Sequence, residues 1–395
     1  MSDLFAGAHI IMDRLMQAGY QAYMVGGCVR DYLLNRDIGD IDIATSALPE
    51  EVCSLFAKTI PVGMEHGTVI VREQHNSYEV TTFRKEGTYV DRRHPSSVEY
   101  IDSLFEDLSR RDFTINAMAM DAAGNLHDPF GGRQHLKEKK IKTVGDAEKR
   151  FMEDPLRIMR ALRFWAVLGF TLEEKTEKAV KRLADELKEI AVERLAAEFI
   201  KLLRGIEASS CLRFMFETGV VSSLPELNRF RSSSERLHAL EWACLESDEE
   251  RWAALLFLLG EEDPAVFLKA WKQSNSLIRS VLQLIRYLDK EELRPHDLYE
   301  LGELQAVSCQ RVRNALKGRI VDEDLVSVQQ RFQKLPIHQR KELAVNGKDI
   351  VSLDESEKGP WIQEMLQRIE HGVVEGKVLN EKRAILEWVR SWKGK

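Results

Sequence analysis

Asp40 and Asp42 stand two residues apart in Gly39-Asp-Ile-Asp-Ile43. On a strand they face the same side, because side chains alternate with a period of two. Two carboxylates on one face repel each other unless a cation lies between them. Such hard oxygen ligands favour Mg²⁺, which keeps some of its water and takes phosphate oxygens as further ligands. Upstream, Gly26 and Gly27 follow the apolar run 22–25 and open a helical segment, Cys28 to Asn35. Without a Cβ, glycine lets backbone approach a ligand closely. A helix that starts there points unpaired N–H groups at an anion, most often a phosphate, and Arg30 adds a fixed positive charge in its first turn. Alone, a Gly-Gly is usually a turn and an Asp-x-Asp a solvated strand face. In this order and spacing they give the layout for metal-assisted nucleotidyl transfer.

The elements that must carry these residues follow from periodicity. Residues 2–17 have helical spacing and end at Gly19; 20–25 reads as a strand and 49–57 as a short helix. Residues 67–72 and 77–84 are β-branched and aromatic around a polar link, the pattern of a hairpin. Glu79, in its second strand, reads equally as a third carboxylate and as an exposed strand residue. Residues 87–100 are polar and aperiodic, a surface loop. Asp107 or Ser109 is expected to cap a helix that places Arg110 and Arg111 in its first turn. Cations are unfavourable there, which suggests an anionic partner. Residues 126–133 are turn-rich, and Lys137 to Lys142 reads as a solvated loop or an RNA-facing patch. From about Asp146 the chain reads almost only as helix.

Beyond these physical readings, Gly26-Gly27 followed by Asp40-x-Asp42 resembles the nucleotidyltransferase superfamily that includes DNA polymerase β. Gly27-Cys-Val-Arg-Asp31 and Arg110-Arg-Asp-Phe-Thr-Ile-Asn-Ala117 resemble its branch of bacterial class II tRNA nucleotidyltransferases, the CCA-adding enzymes, and bacterial poly(A) polymerases. The resemblance implies an α+β head with a polymerase-β-like sheet followed by all-α neck, body and tail, with divisions at 1–145, 146–205, 206–290 and 291–395. It implies that Asp40 and Asp42 are the catalytic ligands of two Mg²⁺ ions, that Gly27, Arg30 and Arg111 hold a triphosphate, and that Asp112 and Asn116 shape a sugar pocket. In the family, a flexible loop at 87–100 is associated with adding the final A, and here it has full length. Residues 126–133 are similar to the third family motif and 190–203 to the fifth, although Val192 stands where a Ser or Thr cap is expected. Glu193 and Arg194 read as structural.

Glu153-Asp-Pro-Leu-Arg-Ile-Met-Arg160 matches the fourth motif, in which this Asp and Arg select the base. Asp154-Pro155 alone is an ordinary helix start, but that does not explain Arg157, Arg160 and Arg163 at three-residue spacing. Cytosine N4 and adenine N6 are both amino donors that a carboxylate accepts, and the neighbouring ring nitrogen accepts from a guanidinium. In U and G both pairings invert, and polar groups left unpaired cost about 1–3 kcal/mol each. Asp154 and Arg157 thus suit a protein template. The resemblance sets Arg160 and Arg163 against base or phosphates.

The implied activity is template-independent addition of C, C and A to the 3′ end of tRNA from CTP and ATP. The rivals are an A-adding or CC-adding enzyme, a poly(A) polymerase, and a catalytically dead RNA-binding module. The stretch 60–69 lacks the Gly-Arg-Arg-Phe-type sequence of polyadenylating relatives, and no strongly basic C-terminal extension is present. Asp40, Asp42 and Arg111 argue against a dead module.

Composition bounds these readings. The 395 residues suffice for two or more domains, and a net charge of −7 argues against a broad basic surface but allows a local groove. Five scattered cysteines with no CxxC exclude a zinc ribbon or disulfide framework and suit a reducing cytoplasm. No run reaches membrane-spanning length, and no secretory signal is visible. His296-Asp297 stands alone and makes no phosphohydrolase site. The C-terminal segment resembles the family's tRNA-elbow-binding tail. There Lys348, Lys358, Lys377, Lys382 and Arg383 are candidate phosphate contacts, and Trp361, Trp388 and Trp392 are expected in the core. The resemblance leaves a homodimer open.

Overall fold

The computed structural model describes residues 3–61, 67–87, 98–230, 236–237, 240–318, 321–352 and 359–392. The chain divides into two compact units, Met1–Arg229 and Phe230–Lys395. Most of the loop expected at 87–100, part of the stretch 60–69 and Lys358 lie outside the described residues.

The first unit opens with α1 (Asp3–Gln17), β1 (Ala22–Val25), α2 (Gly27–Leu33), β2 (Asp42–Thr45) and α3 (Pro49–Leu55). Then follow β3 (Thr59–Ile60), β4 (Thr68–Glu73), β5 (Asn76–Thr82), β6 (Arg84–Glu86), β7 (Val98–Tyr100) and α4 (Leu104–Ser109). A 3-10 turn (Thr114–Asn116) leads to β8 (Ala119–Met120), β9 (Leu126–His127), α5 (Gly132–Lys137) and β10 (Lys140–Ile141). Seven strands form one sheet in the order β3-β4-β5-β2-β1-β8-β9. Within it β2 runs parallel to β5, which puts Asp42 beside Glu79, and antiparallel to β1, which puts Asp42 opposite Val25. Val25, Ala44, Phe83, Leu108 and Ala119 pack into one buried cluster that fixes β1, β2 and β8 against α4.

Two boundaries differ from the sequence reading. Regular pairing in β2 begins at Asp42, so Asp40 lies in the approach to the strand and is exposed, while Ile41 between them is buried. The helix expected to start near Asp107 ends there instead. Ser103 caps α4 by accepting from the Glu106 amide at 3.4 Å, and Arg110 is its C-cap. Arg110 and Arg111 therefore sit at the negative end of the helix dipole, where cations are favoured. Their position in the helix is no sign of an anion.

The unit continues with α6 (Ala147–Glu153), α7 (Leu156–Leu168), β11 (Thr171–Leu172), α8 (Glu174–Arg182), α9 (Val192–Leu203) and α10 (Ala208–Thr218). The two-residue β11 pairs parallel with β10 and interrupts the otherwise helical run.

The second unit contains α11 (Asp248–Leu259), α12 (Pro264–Ala270), α13 (Asn275–Leu288), α14 (Pro295–Leu316), α15 (Asp322–Gln333), α16 (Gly347–Val351), α17 (Trp361–Val374) and α18 (Lys382–Arg390). Trp242, Trp252, Phe267 and Trp271 are buried in its core. Trp361, Trp388 and Trp392 are only half-buried, contrary to expectation. The last two pack edge to face with centroids 4.5 Å apart, and Arg368 lies over Trp392 at 4.0 Å. Lys382 and Arg383 pair with Asp349 and Glu387. His296 packs against His371, and the neighbouring Asp297 caps α14 and pairs with Lys290.

Candidate active site

A cavity of about 590 Å³ opens in the first unit, where the turn between β1 and α2 meets the start of β2 and of α7. Eight arginines line it (residues 30, 84, 110, 111, 157, 160, 163 and 194) against three aspartates (42, 112 and 154). This is the local basic groove that the net charge of −7 allowed.

The glycine turn is built for close approach. Gly26 has φ +76, and a Cβ there would lie 3.0 Å from Arg111 Nη1 and 3.5 Å from Asp42 Oδ2. A side chain would pay for the left-handed backbone and also push apart a guanidinium and a carboxylate. Asp42 is half-buried, and burial is the largest cause of its carboxyl being pushed up to about 6. Glu79 and Asp40 push it further in the same direction, and Arg111 opposes them. Neither Asp40 nor Glu79 lines the cavity. Among the described residues no three His, Cys, Asp or Glu side chains converge as a ligand set. What is present is the Asp42 carboxylate with those of Glu79 and Asp40 near enough to raise it, hard oxygens whose mutual repulsion a divalent metal ion would relieve.

The arginines are held in place by carboxylates, some from their own helix and some from other elements. Arg30 forks onto Asp31 at 2.9 and 2.7 Å and donates from Nη1 to Asn116 Oδ1 at 2.7 Å. Asp107 is fully buried and accepts from Arg110 at 3.0 and 2.8 Å and from Arg111 at 3.4 Å. Asp112 bonds Asn116 at 3.1 Å and Arg160 at 2.7 Å. Burial raises the Asp112 carboxyl, but Arg160 and these hydrogen bonds outweigh it and hold it at about 2.

Along α7 the three expected arginines do not form a free stripe. Arg157 pairs with Glu153 at 2.7 Å and donates to the Arg150 carbonyl at 3.0 Å. Arg160 pairs with Asp112 at 2.6 Å and Arg163 with Glu198 at 2.9 Å. Asp154 Oδ1 accepts from the Leu156 amide at 3.1 Å, which is the expected capping role, with regular helix starting at Leu156. Its Oδ2 accepts from Arg194 Nη2 at 3.1 Å. A carboxylate has about four acceptor positions, so Asp154 keeps one on each oxygen for a ligand.

The structure thus brings Gly27, Arg30, Asp42, Arg111, Asp154, Arg157, Arg160 and Arg163 to one cavity. Sequence reasoning missed Arg84 on its wall and Phe164, read Arg194 as structural and Asp107 as a cap, and pointed to an anion at Arg110 for the wrong reason. The spacing of Asp107 to Arg110 and Arg111, three and four residues on a helix, was a signal for their pairing. Arg194 meets Asp154 only through tertiary structure. The buried Phe164 ring has three guanidinium groups near it, Arg163 at 4.2 Å, Arg30 at 5.1 Å and Arg160 at 5.6 Å from its centroid.

The mixed sheet, the glycine turn beside a strand-borne carboxylate and the following helices define a nucleotidyltransferase of the polymerase-β-like kind. Residues 22–142 match the poly(A) polymerase head domain, 169–231 the RNA- and SrmB-binding site of polymerase A, and 244–389 tRNA nucleotidyltransferase domain 2. The chain belongs to the CCA-adding enzyme family. It is 45% identical over 389 residues to the CCA-adding enzyme of Bacillus cereus (strain Q1), covering 98% of each chain. It is 46% identical over 393 residues to that of Geobacillus sp. (strain WCH70), covering 98% of this chain and 97% of the other. The crystal structure of the Bacillus stearothermophilus CCA-adding enzyme in complex with CTP superposes with a TM-score of 0.94 at 44% identity, covering 100% of this chain and 98% of that one. No described helix is long and apolar enough to cross a membrane.

Proposed function

We propose that this protein adds C, C and A to the 3′ end of tRNA, using CTP and ATP and no nucleic-acid template. The observation that carries the reading is the single cavity in which Asp42, the Gly26-Gly27 turn and Asp154 with Arg157 meet under an excess of arginine. Full-length similarity to CCA-adding enzymes, one of them holding CTP, supports it.

In this reading the tRNA 3′-hydroxyl attacks the α-phosphorus of the nucleotide and pyrophosphate leaves. Asp40 and Asp42 would hold Mg²⁺, which supplies Lewis-acid activation of the hydroxyl and charge neutralisation at the leaving group. Gly27, Arg30 and Arg111 cradle the triphosphate, and Asp112 with Asn116 faces the sugar. Asp154 accepts from the amino group common to C and A, and Arg157, fixed by Glu153, donates to the adjacent ring nitrogen. Arg160 and Arg163 back the base and phosphates. Units corresponding to head (1–145), neck (146–205), body (206–290) and tail (291–395) would serve chemistry, base choice and tRNA grip, with the elbow on the tail. A cytoplasmic site of action belongs to the same reading, which leaves a homodimer open.

The deciding experiment supplies Mg²⁺ and three tRNAs, ending before CCA, in C or in CC, each with CTP, ATP or both. Growth of all three to one common length is expected. Extension of only the CC-ended tRNA, or only as far as CC, indicates a split activity, and a long ATP-dependent ladder indicates polyadenylation. Arg157→Ala is expected to lower the preference for CTP over UTP by about ten-fold or more; unchanged selectivity would refute the protein-template role.

A further inference from the structure

A second cavity of about 590 Å³ lies at the tip of the β4–β5 hairpin in the first unit. Its wall carries Arg14, Phe56, Lys58, Arg72, Glu73 and His75. Among the described residues, neither Arg14, Lys58, Arg72 nor His75 makes an ion pair or a side-chain hydrogen bond. The arginines of the first cavity are instead tied to carboxylates. Three permanent cations and a histidine line one cavity with a single carboxylate, Glu73. In a chain of net charge −7 such an island is stabilised by an anion.

The scaffold holds these groups together. The Arg72 amide donates to the Lys58 carbonyl at 2.9 Å, and the Arg14 guanidinium lies over the buried Phe56 ring at 5.2 Å. The tip turns through Gln74 and His75, both with positive φ, the two-residue connection that matches strand twist.

The register says what the anion belongs to. Arg72 is directly opposite Ser77, and Ile70 opposite Glu79, so Arg72 and Glu79 share a sheet face. Glu79 is in turn the neighbour of Asp42. Ser77 lies two residues from Glu79 along β5, about 7 Å. Arg14 reaches the tip from α1, which packs on the opposite, Tyr78-bearing face, but the Lys58–Arg72 side of the cationic tip is on the catalytic face of the sheet and just beyond the carboxylates. We propose that it is a contact for a backbone phosphate of the RNA strand whose 3′ end reaches Asp42, an inference that rests on the proposed function. An inorganic phosphate or a free nucleotide offers the same phosphoryl oxygens, and the test separates these sources.

The test compares the full-length protein with its Lys58→Glu/Arg72→Glu variant, both positions being exposed. Binding of tRNA lacking its CCA end is measured without nucleotide at several salt concentrations, alongside the KM for CTP and kcat at saturating tRNA. The Kd for tRNA is expected to rise about ten-fold, and the slope of log K against log salt to fall by about 1–2, because each lost phosphate contact removes roughly 0.7–0.9. The KM for CTP and kcat stay within about two-fold. An unchanged Kd and slope overturn the proposal. A change confined to the KM for CTP, or to inhibition by inorganic phosphate, also overturns it and gives the pocket to a free ligand. Should the charge-reversed chain not fold, Lys58→Gln/Arg72→Gln makes the same comparison at smaller amplitude. Failure of the wild-type protein to extend any tRNA would sink the proposed function but leave this binding comparison intact.

Discussion

Both units bury carboxylates against arginines, yet the two networks do different things. In the second unit Glu250 is fully buried on α11. One of its oxygens accepts from the Glu246 and Ser247 amides at 2.7 and 3.3 Å, and the other takes Arg311 of α14. Cap, helix contact and charge are all satisfied by groups of the protein itself. In the first unit Asp42 sits among Asp40 and Glu79 with Arg111 as an opposing charge, beside a cavity walled by further arginines. Charge pairing alone does not mark a site. The mark is charge of either sign left in excess beside open space.

Removing the carboxylate should therefore have opposite effects on stability in the two places. Asp42→Asn is expected to lower incorporation at least about a thousand-fold, since the metal ligand is lost, while tRNA binding persists; retained turnover would refute the assignment. The same change should raise unfolding stability in metal-free buffer by about 1–3 kcal/mol. The sign follows from the raised carboxyl. With a folded value of about 6 above the unfolded value of about 4, the native state loses stability as pH rises through this window, and Asn carries no such cost. Denaturant titration in EDTA at pH 7 reads the gain, which should vanish below about pH 4. Added Mg²⁺ should stabilise the wild type more than the variant.

Glu250→Ala should do the reverse, lowering stability by about 1–3 kcal/mol because two amides lose their acceptor and Arg311 keeps only Glu246. The protein that stays folded should keep its KM for CTP. A change of that KM without a loss of stability would blur the distinction between the networks.

Asp112 belongs to the cavity but is satisfied like Glu250. Its carboxyl is held at about 2 by Arg160 and Asn116, below the unfolded value of about 4, so its stabilisation is present above pH 4 and is lost as pH falls towards 2. Asp112→Asn is expected to cost about 2–3 kcal/mol at pH 7 and almost nothing at pH 2. A cost independent of pH in chemical denaturation would mean that shape, not charge, holds Asn116 and Arg160.

How much of this was legible in the sequence depended on distance along the chain. Gly26 and Asp42 could be read because a missing Cβ and a two-residue spacing are local facts, and their order along the chain narrows the uses that each alone leaves open. The helical remainder and the β4–β5 hairpin followed from periodicity, whereas the α+β head came from the family resemblance. Arg110 and Arg111 were put at the wrong end of a helix because Ser103, Asp107 and Ser109 are all competent caps, and only packing of Leu108 into the core cluster selects Ser103. Arg194 read as structural because its partner Asp154 lies 40 positions away. Trp388 and Trp392 read as core because size argues for burial, whereas only tertiary neighbours decide how much of a terminal helix is covered.

Phe164 was illegible for the same reason, and it gives the finest test of the comparison. Its ring has Arg30, Arg160 and Arg163 within 5.6 Å of its centroid and meets Phe113 edge to face at 5.6 Å. An aromatic face holds guanidinium groups without neutralising them, whereas carboxylates such as Glu250 cancel them. Phe164→Leu keeps an apolar side chain of similar bulk but loses that face, worth about 0.5–2 kcal/mol. The KM for CTP is expected to rise several-fold with kcat little changed, and Phe164→Tyr, which keeps the ring, should restore it. Equal effects of Leu and Tyr would reduce Phe164 to packing. The excess charge of the cavity would then be organised by its carboxylates alone, as in the second unit.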